Sequence, residues 1–495
     1  MNQPYRGYRA DEHVWAGAYP STYPRSAEGT KATLDWLVAQ RVGVIIDLTT
    51  PDDKLPEYCD LVTAHAPSIT YLRFPIRDIS IPSEPLMLAI LDAMSAAVAA
   101  GKRVYVHCWG GVGRTGTVIG CWYVRHGATG DEALARIKSV RDGIERESPE
   151  TEEQRAFVKA WREPSPRLAL AMQTLRDRYR GAMIGMAVGD AIGTTIEFSP
   201  ARTKFVYDMV GGGVFQLPVG AWTDDTSMAL CLAESLILQQ QFDAVDQMRR
   251  YTWWNDRGYF SSTDSCFDIG VTTSQALYQF RRDGNPYAGS TDERSAGNGS
   301  LMRLAPIPLM YGYDDALCVQ YARDSSRTTH GAPQAVDACE VYALLIAGAL
   351  RGMNHAQLCA EPTYAPLTKH SWHPAVAPVV AGSYRHRQPP EIIGDGYVVN
   401  SLEASLWAIY HNSTFADAIL AGVNLGQDAD TTGAVVGQLA GALYGESAIP
   451  VRWRKRLVKY DVIAWRADEL LKLAWPMWQA HFVQFTERNI YQILK

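Results

Sequence analysis

The string with the most specific chemistry is His-Cys-Trp-Gly-Gly-Val-Gly-Arg-Thr-Gly at residues 107–116. Five residues separate Cys108 from Arg114, which is enough backbone for one turn around a group the size of a phosphate. The glycines allow successive N–H groups to point inward as an anion nest, and Arg114 adds a planar pair of donors. Such a setting lowers a cysteine pKa and favours the thiolate nucleophile. The predicted phosphate-binding residues are Gly110, Gly111, Val112, Gly113 and Arg114. A buried cysteine beside a structural turn, the alternative, explains neither the arginine nor the glycines.

The elements around this string place it at the start of a helix. Residues 103–107 are β-branched and aromatic, as in a strand, and residues 115–124 form an apolar helical run. The helix N-terminus then adds partial positive charge beneath a bound anion. A further strand at 43–48 and helices at 29–41 and 86–100 alternate along the chain, which predicts an α/β unit with a largely parallel, covered sheet. The loop would lie at the carboxyl end of a strand, where such folds bind ligands.

The string resembles the signature loop of cysteine-dependent protein phosphatases, and its setting is similar to the dual-specificity branch. The resemblance implies that Cys108 forms a phosphocysteine and that Arg114 binds the phosphoryl oxygens. It also implies that Thr115 stabilises the departing thiolate and that His107 helps to hold the loop. It runs from about residue 14 to residue 161.

Two flanking segments extend this resemblance. Residues 71–82 resemble the general-acid loop of the family, which implies that Asp78 protonates the leaving oxygen. A turn-forming aspartate near Pro82 is the alternative. Residues 148–154 resemble the segment whose glutamine positions the hydrolytic water, which implies that role for Gln154. A solvated glutamine early in a helix at 152–161 is the alternative.

The whole sequence is long enough for more than this one unit. A chain of 495 residues predicts two or three domains, and its net charge of −6 argues against nucleic acid as the main partner. The sequence has no signal peptide, no lipidation signature and no run of eighteen apolar residues, so we expect a cytoplasmic protein without a membrane partner. The eight cysteines form no C-x-x-C pair, which predicts free thiols in a reducing compartment.

A boundary is predicted at 162–167, where two prolines should end a helix and favour an extended link. The predicted domains are a phosphatase-like unit at 1–163, a linker at 164–173 and an all-α unit at 174–495. Helical spacing appears at 175–192, 226–239, 335–350, 401–411, 414–423 and 432–443. The irregular stretch 360–396 contains His370, His373 and His386, and a surface loop is favoured over a metal site there because the spacing is irregular.

Two acidic strings in the second unit each precede an apolar helix. They are Trp-Thr-Asp-Asp-Thr at 222–226 and Gly-Gln-Asp-Ala-Asp-Thr-Thr at 426–432. Asp and Thr are ordinary helix N-caps, and capping would explain either string alone. Carboxylates brought together would repel unless cations lay between them, and hard oxygen ligands suit Mg²⁺, or Mn²⁺ as a substitute. The pair of strings therefore favours a metal site over two unrelated caps.

Weaker motifs surround these strings. A helix of small residues at 181–193 leads to Glu197, and residues 264–270 present Asp268. A glycine-rich turn at 297–303, expected before a helix, suits a diphosphate. His330 alone is more typical of capping or packing than of binding.

In this order, the motifs over about 179–445 resemble the ADP-ribosylglycohydrolases, the family of the dinitrogenase reductase-activating glycohydrolase. The resemblance implies an all-α fold with two Mg²⁺ ions. It implies metal-ligand positions at Thr223, Asp224, Asp225, Asp428, Asp430 and Thr431, and ADP-ribose-binding positions at Gly297, Asn298, Gly299, Ser300 and His330. Glu197 falls on a mobile flap and Asp268 on a residue for water activation or ribose binding. Either the metal acidifies water directly, or one of these two carboxylates takes the proton.

The sequence therefore predicts a bifunctional hydrolase, a cysteine phosphatase fused to a Mg²⁺-dependent ADP-ribosylhydrolase. Its expected partners are a phosphorylated protein or metabolite, and an ADP-ribosylated protein or small molecule. Two alternatives stay open. Both units could act on one phosphorylated ADP-ribose metabolite, or a unit could bind a modified ligand without turnover.

Overall fold

The computed structural model describes residues 7–21, 25–144, 146–360 and 371–484. The chain divides into two compact units, Met1–Gln173 and Thr174–Lys495. In the described part of the chain, one helix, Pro333–Leu350, is long and apolar enough to cross a membrane by length and composition. Because 94% of that window is buried inside the unit, it is equally typical of a core helix.

The first unit has a mostly parallel sheet, as predicted. Among the described residues it has five strands in the order β1-β2-β5-β3-β4. The β1–β2 pair is antiparallel, whereas the β2–β5, β5–β3 and β3–β4 pairs are parallel. The strands are β1 Gly7–Arg9, β2 Val14–Gly17, β3 Val42–Asp47, β4 Thr70–Arg73 and β5 Arg103–His107. The central strands β3 and β5 are almost wholly buried, so their carboxyl ends open onto a protected edge of the sheet.

Helices cover this sheet. They are α1 Ala27–Ala39, α2 Cys59–His65, α3 Glu84–Ala99, α4 Gly113–Arg125, α5 Gly130–Val140 and α6 Glu152–Ala160. Leu34 and Leu37 of α1 are fully buried against Ile45 and Tyr105 of the sheet, which is the apolar burial that stabilises such a layer.

The second unit is all-helical, as predicted. Its α-helices are α7 Pro166–Gly193, α8 Asp224–Gln239, α9 Ala244–Arg257, α10 Val271–Asp283, α11 Pro306–Tyr311, α12 Asp315–Arg327, α13 Pro333–Leu350, α14 His355–Leu358, α15 Ala377–Val380, α16 Val398–Tyr410, α17 Phe415–Val423, α18 Ala429–Tyr444, α19 Val451–Arg456 and α20 Tyr460–Gln484.

One prediction about the join is wrong. The segment expected to be an extended link is helical from Pro166, because α7 begins there. Ser165 explains the early start, since its side chain accepts the N–H of Leu168 at 3.3 Å as an N-cap. Proline is well tolerated at the first position of a helix, where its missing N–H has no partner to lose.

Helices α7 and α18 approach each other unusually closely through glycines. A Cβ placed on Gly189 would lie 1.9 Å from the carbonyl oxygen of Gly433, and one on Gly437 would lie 2.0 Å from that of Gly185. The contacts run in opposite order along the two helices, so the pair is antiparallel. Each helix repeats glycine every four residues on the facing side, which keeps one face free of side chains. This contact brings the end of α7 to the start of α18.

Candidate active sites

The first candidate site is the loop between β5 and α4. Cys108 is 3% exposed and follows the last residue of the strand. The backbone turns through Gly111 at φ 69°, where an added Cβ would lie 2.3 Å from the carbonyl carbon of Gly17. Helix α4 then begins at Gly113, so its N-terminus faces the loop. Cys108, Trp109, Gly110, Val112, Gly113 and Asp78 line a cavity of about 620 Å³.

His107 lies behind the cysteine, fully buried. One ring nitrogen lies 3.3 Å from the Cys108 carbonyl oxygen, and the other makes a short contact with the Tyr58 hydroxyl. Burial lowers the pKa of His107, although the nearby Asp47 carboxylate acts to raise it. The lowered pKa favours the neutral ring. These contacts are consistent with a residue that holds the loop. The buried Thr115 hydroxyl lies 3.5 Å from the Gly17 carbonyl oxygen.

Arg114 is buried and has two carboxylate partners. Asp53 binds it through both oxygens, at 2.7 Å to Nη1 and 2.8 Å to Nη2. Asp78 lies 2.9 Å from Nη2. The structure therefore brings the predicted general acid to the predicted phosphate-binding arginine. The side chain of Asp78 is 62% exposed, so it borders the cavity and is free to leave the arginine.

Asp53 was missed by the sequence analysis. It ends a short 3-10 turn, Pro51–Asp53, which is separated from the buried strand β3 by residues 48–50. The pattern Thr-Pro-Asp-Asp at 50–53 carries a capping-box signal, and Thr50 and Asp53 do form that box. The signal predicts a turn but not the ion pair with Arg114, which lies 61 residues further along the chain.

Gln154 is fully buried, so the solvated alternative is wrong. Its Oε1 accepts the N–H groups of Glu150 and Thr151 at 3.1 and 3.2 Å, and its Nε2 donates to the Ser80 carbonyl at 3.1 Å. Gln154 thus connects the start of α6 to the segment that follows Asp78, and it packs against Gly113.

The second candidate site lies where helices α8 and α18 begin. Thr223 and Asp428 occupy their N-cap positions, yet within the described chain neither side chain makes a capping hydrogen bond. The Thr223 hydroxyl instead lies 2.9 Å from Asp225 Oδ2 and 3.0 Å from Asp190 Oδ1. The two acidic strings therefore do not behave as ordinary caps.

Carboxylates of the two acidic strings meet Asp190 and Glu197 in two groups, and Asp430 belongs to both groups. Asp190, Asp225 and Asp430 each offer an oxygen within 4.8 Å of the others, and so do Glu197, Asp428 and Asp430. One oxygen each of Asp225, Asp430 and Glu197 is buried without a hydrogen-bond partner among the described residues. Buried carboxylate oxygens without donors are costly, and a hard divalent cation is a suitable partner. The donor set fits a metal of that kind.

Burial and mutual repulsion raise the pKa values of these acids. Burial and neighbouring carboxylates raise the pKa of Glu197 to about 9 and that of Asp268 to about 7. The same causes hold the pKa values of Asp224, Asp225 and Asp430 well above their ordinary value. Without cations, the cluster therefore binds protons at neutral pH.

Asp190 is a second residue that was not predicted as a site residue. It lies near the end of α7 and is fully buried. Its Oδ1 accepts the N–H of Thr223 at 2.9 Å, and its Oδ2 accepts the hydroxyl of Thr226 at 2.6 Å. Asp190 thus fixes the start of α8. The string Gly-Asp-Ala-Ile-Gly at 189–193 contained the residue, but the helical spacing gave no sign of this partner.

Glu197 and Asp268 face the same cavity of about 700 Å³ as Asp224, Asp430 and Thr431. Hydrogen bonds tie the segment after Glu197 to the acidic loop. Phe198 N–H donates to the Gln427 carbonyl at 2.7 Å, and Gln427 N–H donates to the Ser199 carbonyl at 2.8 Å. Asp268 has φ 57°, a left-handed conformation that is uncommon outside glycine and often found at functional sites.

The glycine-rich turn differs from expectation. No helix begins directly after it, since α11 starts only at Pro306. Gly297 and Asn298 donate their N–H groups to the carbonyls of Ser295 and Gly396, at 2.8 and 3.1 Å, so these groups are used within the protein. The Asn298 amide donates to Asp428 Oδ2 at 2.7 Å. The turn therefore lies at the cavity and supports the acidic loop, while Ser300 is buried beside Ser326.

His330 lines the same cavity, and its ring is also packed within the helical unit. Burial lowers the pKa of His330 to about 3, and its Nδ1 lies 2.8 Å from the Thr329 hydroxyl. Its ring packs beneath Gly299, where a Cβ would be 2.7 Å away.

His370 lies outside the described residues. In the described part of the stretch 360–396, Asp395 and Gly396 line the cavity, so the end of that stretch belongs to the site.

The two cavities define the chain as an enzyme with a cysteine-and-arginine loop in an α/β unit and a buried carboxylate centre in a helical unit. Comparison with known families agrees with both. Residues 171–479 match the family model described as ADP-ribosylglycohydrolase. Residues 20–128 match the model described as polymorphic toxin system, DSP-PTPase phosphatase. The chain belongs to the ADP-ribosylglycohydrolase family, and a phosphatase-like unit precedes the region that matches this family.

Several relatives share the second unit. The "ADP-ribosylarginine hydrolase Tri1" of Pseudomonas putida is 41% identical over 298 residues, 60% of this chain and 79% of that protein. The "ADP-ribosyl-[dinitrogen reductase] glycohydrolase" of Rhodospirillum rubrum is 30% identical, over 61% of this chain and 98% of that protein. A solved "ADP-ribosylglycohydrolase-related protein complex" is 43% identical, covers 61% of this chain and 99% of its own, and superposes with a TM-score of 0.54.

Proposed function

We propose that this protein is a bifunctional hydrolase, a phosphocysteine-type phosphatase joined to a Mg²⁺-dependent ADP-ribosylarginine hydrolase. The observation that carries the proposal is the completeness of both reactive sets. Cys108 and Asp78 border one cavity, with Arg114 paired to Asp78, and Glu197, Asp428 and Asp430 border the other. A unit kept only for binding would have no need of all these groups, so turnover is favoured over mere recognition.

In the phosphatase unit, the Cys108 sulfur would attack phosphorus and the bond to the leaving oxygen would break. Asp78 would give that oxygen its proton. The phosphoryl group would take the place of the Asp78 carboxylate at Nη2 of Arg114, which frees Asp78 for this role. Water would then hydrolyse the phosphocysteine, releasing phosphate and the thiolate.

In the helical unit, two Mg²⁺ ions, or Mn²⁺ in their place, would be held by Thr223, Asp224, Asp225, Asp428, Asp430 and Thr431. Bound ions of this kind supply a Lewis acid to the ribose oxygens and to water. Glu197 or Asp268 would take the proton of the attacking water, because both border the cavity beside the carboxylate centre, and the positive charge of bound cations would lower their raised pKa values so that a carboxylate is available as the base. The water oxygen would bond to the anomeric carbon while the bond from that carbon to the arginine nitrogen breaks, and the proton taken from water would pass to the departing nitrogen.

The substrate class rests on the relatives. Two of them are named for ADP-ribosylarginine and one for ADP-ribosylated dinitrogen reductase. We therefore propose an ADP-ribosylated arginine of a protein for the second unit, and a phosphomonoester of a protein or metabolite for the first. We propose the cytoplasm for both reactions, because eight scattered cysteines without a C-x-x-C pair are typical of a protein from a reducing compartment.

One experiment tests both activities with internal controls. The purified chain is given an ADP-ribosylarginine peptide and an aryl phosphate, with Mg²⁺ or with chelator. Cys108→Ser should abolish only phosphate release, and Asp430→Asn should abolish only ADP-ribose release, so each variant controls for the other. Chelator should stop only the second reaction. If chelator leaves ADP-ribose release intact, the metal centre is wrong. If Cys108→Ser still releases phosphate at the native rate, the phosphocysteine is wrong.

A further inference from the structure

Three phenylalanine rings, Phe198, Phe215 and Phe267, form an aromatic bridge beside the second cavity. The ring centroids of Phe198 and Phe215 lie 6.5 Å apart with an interplanar angle of 69°, and those of Phe215 and Phe267 lie 5.3 Å apart at 56°. Tilted and edge-to-face pairs at such separations are favourable, because the edge of one ring meets the face of the other. Phe215 is therefore the middle ring, and it contacts both of the others.

The two outer rings of the bridge lie next to the two candidate bases. Phe198 directly follows Glu197 in the sequence, and Phe267 directly precedes Asp268. Glu197, Phe198 and Asp268 all border the cavity. Within the described chain, the lining of this cavity includes neither Phe215 nor Phe267. The bridge therefore joins the segments of both carboxylates from outside the space that a substrate would occupy.

The backbone at each end of the bridge has an uncommon conformation. Phe198 has φ 56° and Asp268 has φ 57°, which are both left-handed. This conformation is unfavourable for residues other than glycine, and it persists only where surrounding contacts hold it. Phe198 is held by the hydrogen bond from its N–H to the Gln427 carbonyl at 2.7 Å and by its ring contact with Phe215. On the other side, Phe267 connects the residue before Asp268 to the same ring.

Phe215 itself lies on a turn that is closed at its base. Gly212 and Leu217 exchange two backbone hydrogen bonds of 2.8 Å. The Thr195 hydroxyl donates to the Gly211 carbonyl at 3.1 Å, which links this turn to the residues that follow α7. The middle ring of the bridge is thus carried by a supported turn, and the two outer rings pack against it.

We infer that Phe215 is a positioning residue of the ADP-ribosylhydrolase site, holding the segments of Glu197 and Asp268 at a fixed separation. The inference rests on the proposed hydrolase function. A carboxylate that takes a proton from water must lie within hydrogen-bond reach of that water, and a displacement of about 1 Å can cost about 10²-fold in rate. Because Phe215 does not line the cavity, its loss should slow the reaction without weakening the binding of the ADP-ribosyl group.

The test compares Phe215→Ala with Phe205→Ala, a matched loss of a phenyl ring from an exposed position between the same two helices. Release of ADP-ribose from an ADP-ribosylarginine peptide gives kcat, and calorimetric titration with free ADP-ribose in the presence of Mg²⁺ gives its Kd. We expect Phe215→Ala to lower kcat about tenfold or more and to leave Kd within about twofold. Phe205→Ala should leave both quantities within about twofold.

Two further variants separate the ring contact from general packing. Phe215→Tyr keeps the ring and should retain kcat within about twofold of the parent. Phe215→Leu keeps an apolar side chain without the ring, so it should lose about threefold or more in kcat, and it decides the question if alanine leaves the unit unfolded. In combination with Phe267→Ala, Phe215→Ala should cost much less than the product of the two single losses, because both variants break the same contact.

The inference is overturned if Phe215→Ala retains the parent kcat, if Phe205→Ala matches its loss, or if the losses of Phe215→Ala and Phe267→Ala multiply. A Kd for ADP-ribose that rises as much as kcat falls would also overturn it, since the whole site would then be disturbed. If the parent releases no ADP-ribose from the peptide, the proposed hydrolase function fails instead.

Discussion

Asp78 is the residue whose role depends most on its freedom to move. It is exposed and lies 2.9 Å from Nη2 of Arg114, at the edge of the cavity. As a general acid, it should matter only where the leaving group needs a proton. Asp78→Ala should lower kcat for alkyl phosphates by about 10²–10⁴-fold, the usual size of general acid catalysis. The loss should be much smaller for activated aryl phosphates. Rates measured over a series of leaving groups check this, and an equal loss across the series would remove Asp78 from the general-acid role.

Asp190 should matter for stability and for metal binding. It accepts hydrogen bonds from Thr223 and Thr226. In Asp190→Asn an amide group would face those donors, which should cost about 1–3 kcal/mol for the unsatisfied buried groups and weaken Mg²⁺ binding. Thermal melts and Mg²⁺ titrations measure both effects. Asp256→Asn is the control, since Asp256 is half-exposed in a surface pair with Arg281 and should change stability by about 0.5 kcal/mol at most. A melt of Asp190→Asn equal to that control would contradict the role.

At the residue scale, the sequence predicted the site residues that belong to short contiguous motifs. The cysteine, the arginine and the two acidic strings could be found because their spacing along the chain carries the signal. Asp53 and Asp190 could not be singled out, because their partners lie far away in the sequence and are set by tertiary packing. The predicted diphosphate-binding role of Asn298 stays a prediction, since Asn298 lines the cavity. The hydrogen bond from its amide to Asp428 could not be predicted, because the two residues lie 130 positions apart in the sequence.

The element that positions the second site is the α7–α18 contact. Gly189→Ala would place a methyl group 1.9 Å from a backbone oxygen that cannot move aside. We expect a loss of about 1–3 kcal/mol, as for overpacked cores, with ADP-ribose release reduced because Asp190 and Asp430 separate. Gly348→Ala is the control, since its Cβ would meet the flexible side chain of Met353 at 2.8 Å. Chemical denaturation of both variants decides the matter, and equal midpoints would show that the close approach is not required.

Helices were predicted better than strands. Apolar periodicity located α7, α8, α13, α16, α17 and α18 to within a few residues at most ends, since each buries one continuous face. Helices α9, α10, α12 and α20 were not predicted. Strands β1, β2 and β4 have three or four residues each, too short for an alternating pattern to stand out. The helical start at Pro166 was missed because two prolines suggested a break, while the Ser165 cap determined the outcome.

The whole molecule carries a modest net charge of −6, but its second unit concentrates carboxylates at one buried point. The family and the type of site were predictable, because the motifs that define them are contiguous. The balance of charge at the site was not, since it depends on how close the carboxylates lie and on how little water reaches them.

That balance predicts how stability changes with pH. The folded carboxylates Asp190, Asp268 and Glu197 have pKa values of about 6, 7 and 9, above the value of about 4 for unfolded Asp and Glu. The folded state therefore binds more protons, so stability is full below about pH 4 for these groups and is lost as pH rises through their folded pKa values. In the presence of chelator, the melting temperature of the helical unit should therefore be lower at pH 8 than at pH 6.

Mg²⁺ should reverse this trend, because cations replace the protons that the cluster holds at lower pH. The stabilisation by saturating Mg²⁺, about 2.7 kcal/mol at a hundredfold excess over Kd, should therefore be larger at pH 8 than at pH 6. Calorimetry at the two pH values, with chelator and with Mg²⁺, measures the four melting temperatures. Asp430→Asn, which removes the carboxylate shared by both groups, should reduce the Mg²⁺ shift at both. A Mg²⁺ shift that is equal at the two pH values would mean that protons and metal do not compete for these oxygens, and the carboxylate cluster would then not be the metal site.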